Sequence, residues 1–195
     1  MDRREFLESL AGLSALLPGL TLLPLRDAAF AAELHARAQA APGLRTLTAE
    51  LDATLSGVAD ILLPQTDTVG ASAVGVNRFI DLLLTEAMLE LDRDRFIEGL
   101  RAIDADCQAS HGAPFGAATR AQQETVVRGL DAHLTGRPPT RAETAALAGK
   151  PVSAAHGYAL AKQLVLLAYF TSEPVARELI NAPIIPGRYD GCVST

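Results

Sequence analysis

Apolar residues recur along most of the chain at helical spacing. Beyond Thr48, a cap residue, Leu51, Leu55, Val58, Ala59 and Leu62 fall on one face. The spacing predicts a helix to about Leu63, ended by Pro64. After the polar loop Gln65 to Gly75, a second helix is predicted from about Val76 to Leu89, with Phe79, Ile80, Leu83 and Leu84 apolar. Asp92 is read as the cap of a third, to about Ser110, on the stripe Phe96, Leu100, Ile103 and Cys107, with Gly112 as its stop. Thr119 to Gln122 has the form of a capping box and opens a fourth helix through Val126, Val127, Leu130 and Leu134, ending at Gly136. A second such box, Thr140 to Glu143, predicts a short helix stopped by Gly149. Ser153 starts the most apolar helix, through Tyr158, Leu164, Val165, Leu167, Ala168 and Phe170, which is read as the central one. Thr171 or Ser172 caps a last short helix around Val175 to Ile180.

No long alternating run of apolar and polar residues appears, so strands are not predicted. The expected fold is all-α: a single irregular bundle of about six to seven helices over residues 47–181, followed by an irregular tail, 182–195, rich in Pro and Gly. Aromatic content of 5% with no Trp supports helices over a sandwich or barrel. A chain of 195 residues, 49% apolar, supports one core and is too short for two large domains.

The first residues do not fit that bundle. Arg3-Arg4 precede Phe6-Leu7; an uncharged stretch runs from Leu10 to Leu25; Ala29-Phe30-Ala31 follows. A basic start, an apolar middle and an A-x-A-like cleavage site make the pattern of an export signal over residues 1–31, cleaved or kept as an anchor; the competing readings are a general secretory signal and an ordinary N-terminal helix. The uncharged run is 16 residues, short for a spanning helix, and Pro18-Gly19 and Pro24 interrupt it. The pair Arg3-Arg4 with Phe6-Leu7 resembles a twin-arginine signal, which implies the twin-arginine translocase as a partner. Residues 32–46, Ala-rich and ending near Pro42-Gly43, are read as a linker.

Candidate chemistry is sparse. The net charge of −6 and the lack of a basic face argue against nucleic acid. No glycine-rich phosphate or dinucleotide motif and no haem-attachment motif is present. His35, His111, His133 and His156 are scattered and read as surface residues, giving no metal site. Asp92 and Asp94, like Asp104 and Asp106, are two apart and point to different faces of a helix. Ser110-His111 are neighbours without a third group, which does not make a catalytic pair. The residues themselves expect no catalytic, cofactor or metal site in this chain.

Four stretches taken together resemble the gluconate 2-dehydrogenase subunit 3 family. They are the twin-arginine start, Ile61 to Ala71 (with Thr66-Asp67-Thr68), Gly75 to Asp81, and Tyr169-Phe170-Thr171-Ser172-Glu173 followed by Pro186 to Cys192. The family's Pro after Thr-Asp-Thr is Val69 here, and its Pro after Gly-Val is Asn77. The resemblance implies a non-catalytic small subunit in a periplasmic complex. There, a large subunit of the glucose–methanol–choline type holds FAD and oxidises a sugar, sugar acid or glycoside, and a cytochrome c with its haem c, or a similar carrier, takes the electrons. Such a complex associates with the inner membrane through its other subunits or through an uncleaved signal. The alternative is a stand-alone exported chaperone or binding protein that releases its cargo.

Candidate contacts with a large subunit are Asp67 in the polar loop, Tyr169 and Phe170 at the end of the apolar helix, and Ile184, Ile185 and Tyr189 in the tail; the competing readings are Asp67 bonding nearby backbone N–H groups, Tyr169 and Phe170 packing in the core, and the tail lying on its own bundle. For Cys107 and Cys192 three arrangements stay open: a bond to each other, a bond from Cys192 to the partner, or free thiols.

Overall fold

Caps and stops written in the sequence set several helix ends in the computed structural model, which describes residues 28–134 and 150–177. Among these residues there are seven helices and no strand: α1 Ala28–Ala40, α2 Ala49–Leu62, α3 Val76–Glu86, α4 Glu90–His111, α5 Arg120–Ala132, α6 Ala154–Phe170 and α7 Glu173–Val175, with a 3-10 turn at Phe115–Ala117. The all-α bundle is therefore the fold. Thr48 Oγ1 accepts from the Leu51 N–H at 3.4 Å, and Ser153 Oγ from the His156 N–H at 3.2 Å. Gln122 Oε1 reaches back to the Thr119 N–H at 2.9 Å. Gly112 ends α4 in the left-handed region at φ 76°.

Helix α6 is the central element. It makes its most extensive contact with α4 and also touches α2, α3 and α5. The α4–α6 crossing is close enough that a methyl group on Gly99 would lie 2.6 Å from the Gly157 Cα. Around it Phe79, Phe96, Phe115, Leu55, Leu100, Ile103, Leu160 and Leu164 are fully buried in one continuous core.

Polar side chains tie the ends of elements together. Asp81, in α3 and 3% exposed, accepts three consecutive backbone N–H groups: Arg45 at 2.8 Å, Thr46 at 2.9 Å and Leu47 at 2.8 Å. That carboxylate fixes the segment that delivers Thr48 to the start of α2. Asp104 accepts from Thr54 Oγ1 at 2.7 Å and from the Phe115 N–H at 3.1 Å, joining α4 to α2 and the 3-10 turn. Asn77, where the related pattern has Pro, donates to Asp52 Oδ1 at 2.8 Å and links α3 to α2.

Four expectations are corrected. Residues 32–46 are not a plain linker, because helix α1 runs to Ala40 and packs mainly on α3. Its inner face is Ala31, Leu34, His35 and Ala38, spaced for a helix but weakly apolar, so the periodicity is faint. His35 is not a surface residue: it is 8% exposed, stacks on Phe79 at 4.2 Å and bonds Thr171 Oγ1 at 3.0 Å. Helix α4 is capped by Leu89, so Asp92 lies inside its first turn and is buried. Helix α3 ends at Glu86 rather than Leu89. The leader residues Arg3, Arg4, Phe6 and Leu7, the short helix expected at 140–149, the rest of the helix expected to reach Ile180, and the tail with Ile184, Ile185, Tyr189 and Cys192 lie outside the described residues.

Burial pushes the His35 imidazole down to about 4, against a backbone hydrogen bond at Ala168 that raises it. The unfolded chain takes up that proton near pH 6.5 and the folded chain does not until about pH 4. Stability therefore falls as pH drops through this window, by up to about 3 kcal/mol for this group. Urea unfolding at pH 7, 5.5 and 4 should show the loss. His156, lowered by burial and by Arg95, slopes the same way. The difference between the wild type and His35→Gln isolates His35, and the variant should be flatter.

Candidate partner-binding site

The loop from Pro64 to Gly75 is closed by its own bonds. The Ala71 N–H donates to Leu63 O at 3.0 Å, the Thr66 N–H to Thr68 O at 3.1 Å, and the Gly70 N–H to Gln65 Oε1 at 2.8 Å. A side chain at Gly70 would meet the Gln65 backbone nitrogen at 2.8 Å, so the loop tolerates only glycine where it folds back. Ser72 Oγ donates to Asp60 Oδ1 at 2.5 Å, holding the far end of the loop to α2.

Tyr169 anchors this loop from below. It is 3% exposed, and its hydroxyl donates to Val69 O at 2.6 Å. Of its two readings, core packing and partner contact, the structure places Tyr169 in the core: both ring and hydroxyl are spent within the chain. Phe170 is half-buried, packs against the core and meets the Tyr169 ring edge-on, with centroids 5.3 Å apart. Asp67 is on the exposed part of the loop, beside exposed Gln65 and Thr66. The loop thus presents Asp67 on a rigid frame.

Next to the loop's start lies an open groove of about 570 Å³ between the end of α2 and the faces of α5 and α6. Its apolar wall is Ile61, Leu62, Pro64 and Val127; its polar side is Arg120, Glu124, Arg128, Asp131, Tyr158 and Lys162. Arg120 pairs with Glu124 at 2.9 Å and donates to Asp60 O at 3.0 Å. Asp131 Oδ1 accepts from Lys162 Nζ at 2.6 Å and from the Tyr158 hydroxyl at 3.0 Å. The Lys162 hydrogen bond is the largest cause holding the Asp131 carboxyl below its usual range. Burial, then Asp131, pushes the Tyr158 phenol well above its usual range. A carboxylate neutralised by lysine and a phenol kept protonated are poor bases and poor nucleophiles.

Other candidate chemistry is spent on structure. Ser110 Oγ donates to Asp106 O at 2.8 Å, a bond within its helix, and does not serve His111. Cys107 is fully buried, and burial, then Asp104 and Asp106, pushes its thiol up, which makes it unreactive. Cys192, the other half of one of the three open arrangements, lies outside the described residues. No group of His, Cys, Asp and Glu that could hold a metal ion occurs among the described residues.

One surface feature went unread in the sequence. Leu89 and Leu91, at the turn from α3 into α4, are 56% and 70% exposed. They are the exposed large apolar side chains among the described residues. The pattern Met88-Leu89-Glu90-Leu91 carried the signal, since three apolar residues within four cannot all face one core at a helix start.

Comparison with known proteins gave one positive finding. The family model described as Gluconate 2-dehydrogenase subunit 3 matches residues 49–187, more than two thirds of the chain. No curated protein and no solved structure gave a match.

Proposed function

The chain belongs to the gluconate 2-dehydrogenase subunit 3 family, and on that premise we propose that it is the non-catalytic small subunit of a periplasmic, FAD-dependent dehydrogenase of sugars, sugar acids or glycosides. Its work is to carry the large flavin subunit through export and to stabilise it. The observation that carries this reading is the family match, which spans the bundle from the start of α2 through α7. Supporting it, the polar groups of the groove and helix ends are engaged in holding this chain together, and the redox chemistry is assigned to the partner.

Physical reasoning links the parts. A noncovalently held flavin is best loaded where it is made, so the enzyme must fold before transport. A twin-arginine leader suits folded cargo, and a leader on a tightly docked small subunit serves both chains. The leader residues in this proposal are Arg3, Arg4, Phe6 and Leu7. The electrons pass from FAD in the large subunit to a cytochrome c or similar carrier.

The test is co-expression with a flavin subunit and purification through high salt. A permanent subunit stays bound through an apolar interface, whereas a chaperone that releases its cargo is lost. Changing Arg3 and Arg4 to Lys should leave both chains in the cytoplasm; normal periplasmic accumulation would refute the export role. The Leu89/Leu91 corner supplies a sharper probe. In the isolated chain Leu91→Ser should shift stability by no more than about 0.5 kcal/mol, because its side chain is already in water, and Leu89→Ser, at the N-cap of α4, should if anything stabilise by up to about 1 kcal/mol. The same pair should sharply reduce co-purification of the flavin subunit, measured by the flavin absorbance that remains with the tagged small chain.

A further inference from the structure

We infer that docking of α1 shields the Ala29-Phe30-Ala31 site, so that the folded chain keeps its N-terminal leader. This rests on the reading of residues 1–31 as an export leader. The sequence offers a small residue at 29 and another at 31 for a leader peptidase. A leader peptidase takes the chain before its cut in an extended form. Here the backbone of Ala29, Phe30 and Ala31 is helical, in the first described turn of α1. Ala31 itself is 2% exposed.

The turn is held from further along the same helix. Leu34 and Ala38 are in the core, and His35 stacks on Phe79 and bonds Thr171. Gln39 Nε2 donates to Val74 O at 3.0 Å, and Arg37 pairs with Glu86. Cleavage would add water across the peptide bond, its hydroxyl going to the Ala31 carbonyl and its proton to the Ala32 nitrogen. To present that bond extended on both sides, the chain must unwind the first turn and draw Leu34 out of the core. Hydrolysis then follows the population of the undocked form and not the accessibility of the sequence as written.

The experiment uses the full chain, leader included, and a purified leader peptidase in detergent micelles, read by intact mass. The wild type should be cut at Ala31–Ala32 at least about tenfold more slowly than Leu34→Asp and Ala38→Glu, which place a charge under α1. Circular dichroism on each variant establishes that the remaining helices stay folded, and two variants guard against one that collapses. Wild-type cleavage at the rate of the variants overturns the inference while leaving the leader reading intact. Resistance of all three chains also overturns it, and then the leader reading fails with it, since the site is no substrate even when open.

Discussion

Asp81→Ala is expected to lower the stability of the chain by about 4 kcal/mol. The carboxylate accepts the N–H groups of Arg45, Thr46 and Leu47, each at 2.8 or 2.9 Å. Hydrogen bonds to a charged acceptor contribute more than neutral ones, and a buried donor left alone costs roughly 1–3 kcal/mol. Water can reach the Arg45 and Thr46 groups, where the side chains are more open; it cannot easily reach Leu47, which is buried. The sum is therefore less than three full penalties. In a domain of this size the loss lowers Tm by roughly 10 °C. Asp81→Asn keeps one acceptor and turns an amide toward an N–H group, so it should fall between the wild type and the alanine variant. Chemical denaturation of the three proteins orders them. Equal stability of the alanine variant and wild type would show that the segment before α2 is held by something else.

Gly157→Ala gives the second large effect, and its sign runs against helix propensity. In an open helix this change stabilises by about 1 kcal/mol. At 157 the new methyl group would lie 2.5 Å from the Gly99 Cα, across the α4–α6 crossing. The two backbones must part, which loosens the largest contact in the bundle and costs about 3 kcal/mol before the propensity gain. The net expectation is a loss of about 2 kcal/mol. Gly129, in α5, is the control: nothing lies within 4 Å of a methyl group there. Gly129→Ala should stabilise by about 1 kcal/mol. One substitution with opposite signs at two helical sites, measured by thermal unfolding, tests the crossing itself and not the helices.

The contrast also shows which parts of the fold can be read along the sequence. Thr48, Thr119 and Ser153 mark helix starts because a cap acts within one turn, and Gly112 marks a stop for the same reason. The core stripe Phe96, Leu100, Ile103 and Cys107 is legible because one face carries all of it. Gly99 and Gly157 were not legible as a pair: each is an ordinary helical glycine until the two helices cross. Nothing local marks Asp81, and only the fold delivers three N–H groups to it. Helix α1 was read as part of a linker because alanine and histidine give little hydrophobic contrast.

The candidate site was legible to a similar degree. Asp67 is exposed, and side-chain bonds within the loop come from Gln65, Thr66 and Thr68, whereas Tyr169 turns inward because its hydroxyl finds Val69 O, 100 residues away. A bond of that span leaves no local trace. Leu89 was absorbed into a helix end when α3 was read three residues too long, and Leu91 fell between two expected helices.

The bond between His35 and Thr171 spans 136 positions. During synthesis at about 5–20 residues per second, the first of these residues waits roughly 7 to 27 s before the second exists. Through that interval α1 can pack on α3, through Gln39 with Val74 O and Arg37 with Glu86, but has no α6 end to grip. Translation speed between the two residues therefore sets a clock: a slow message lengthens the time in which α1 is held by α3 alone, and a fast one shortens it.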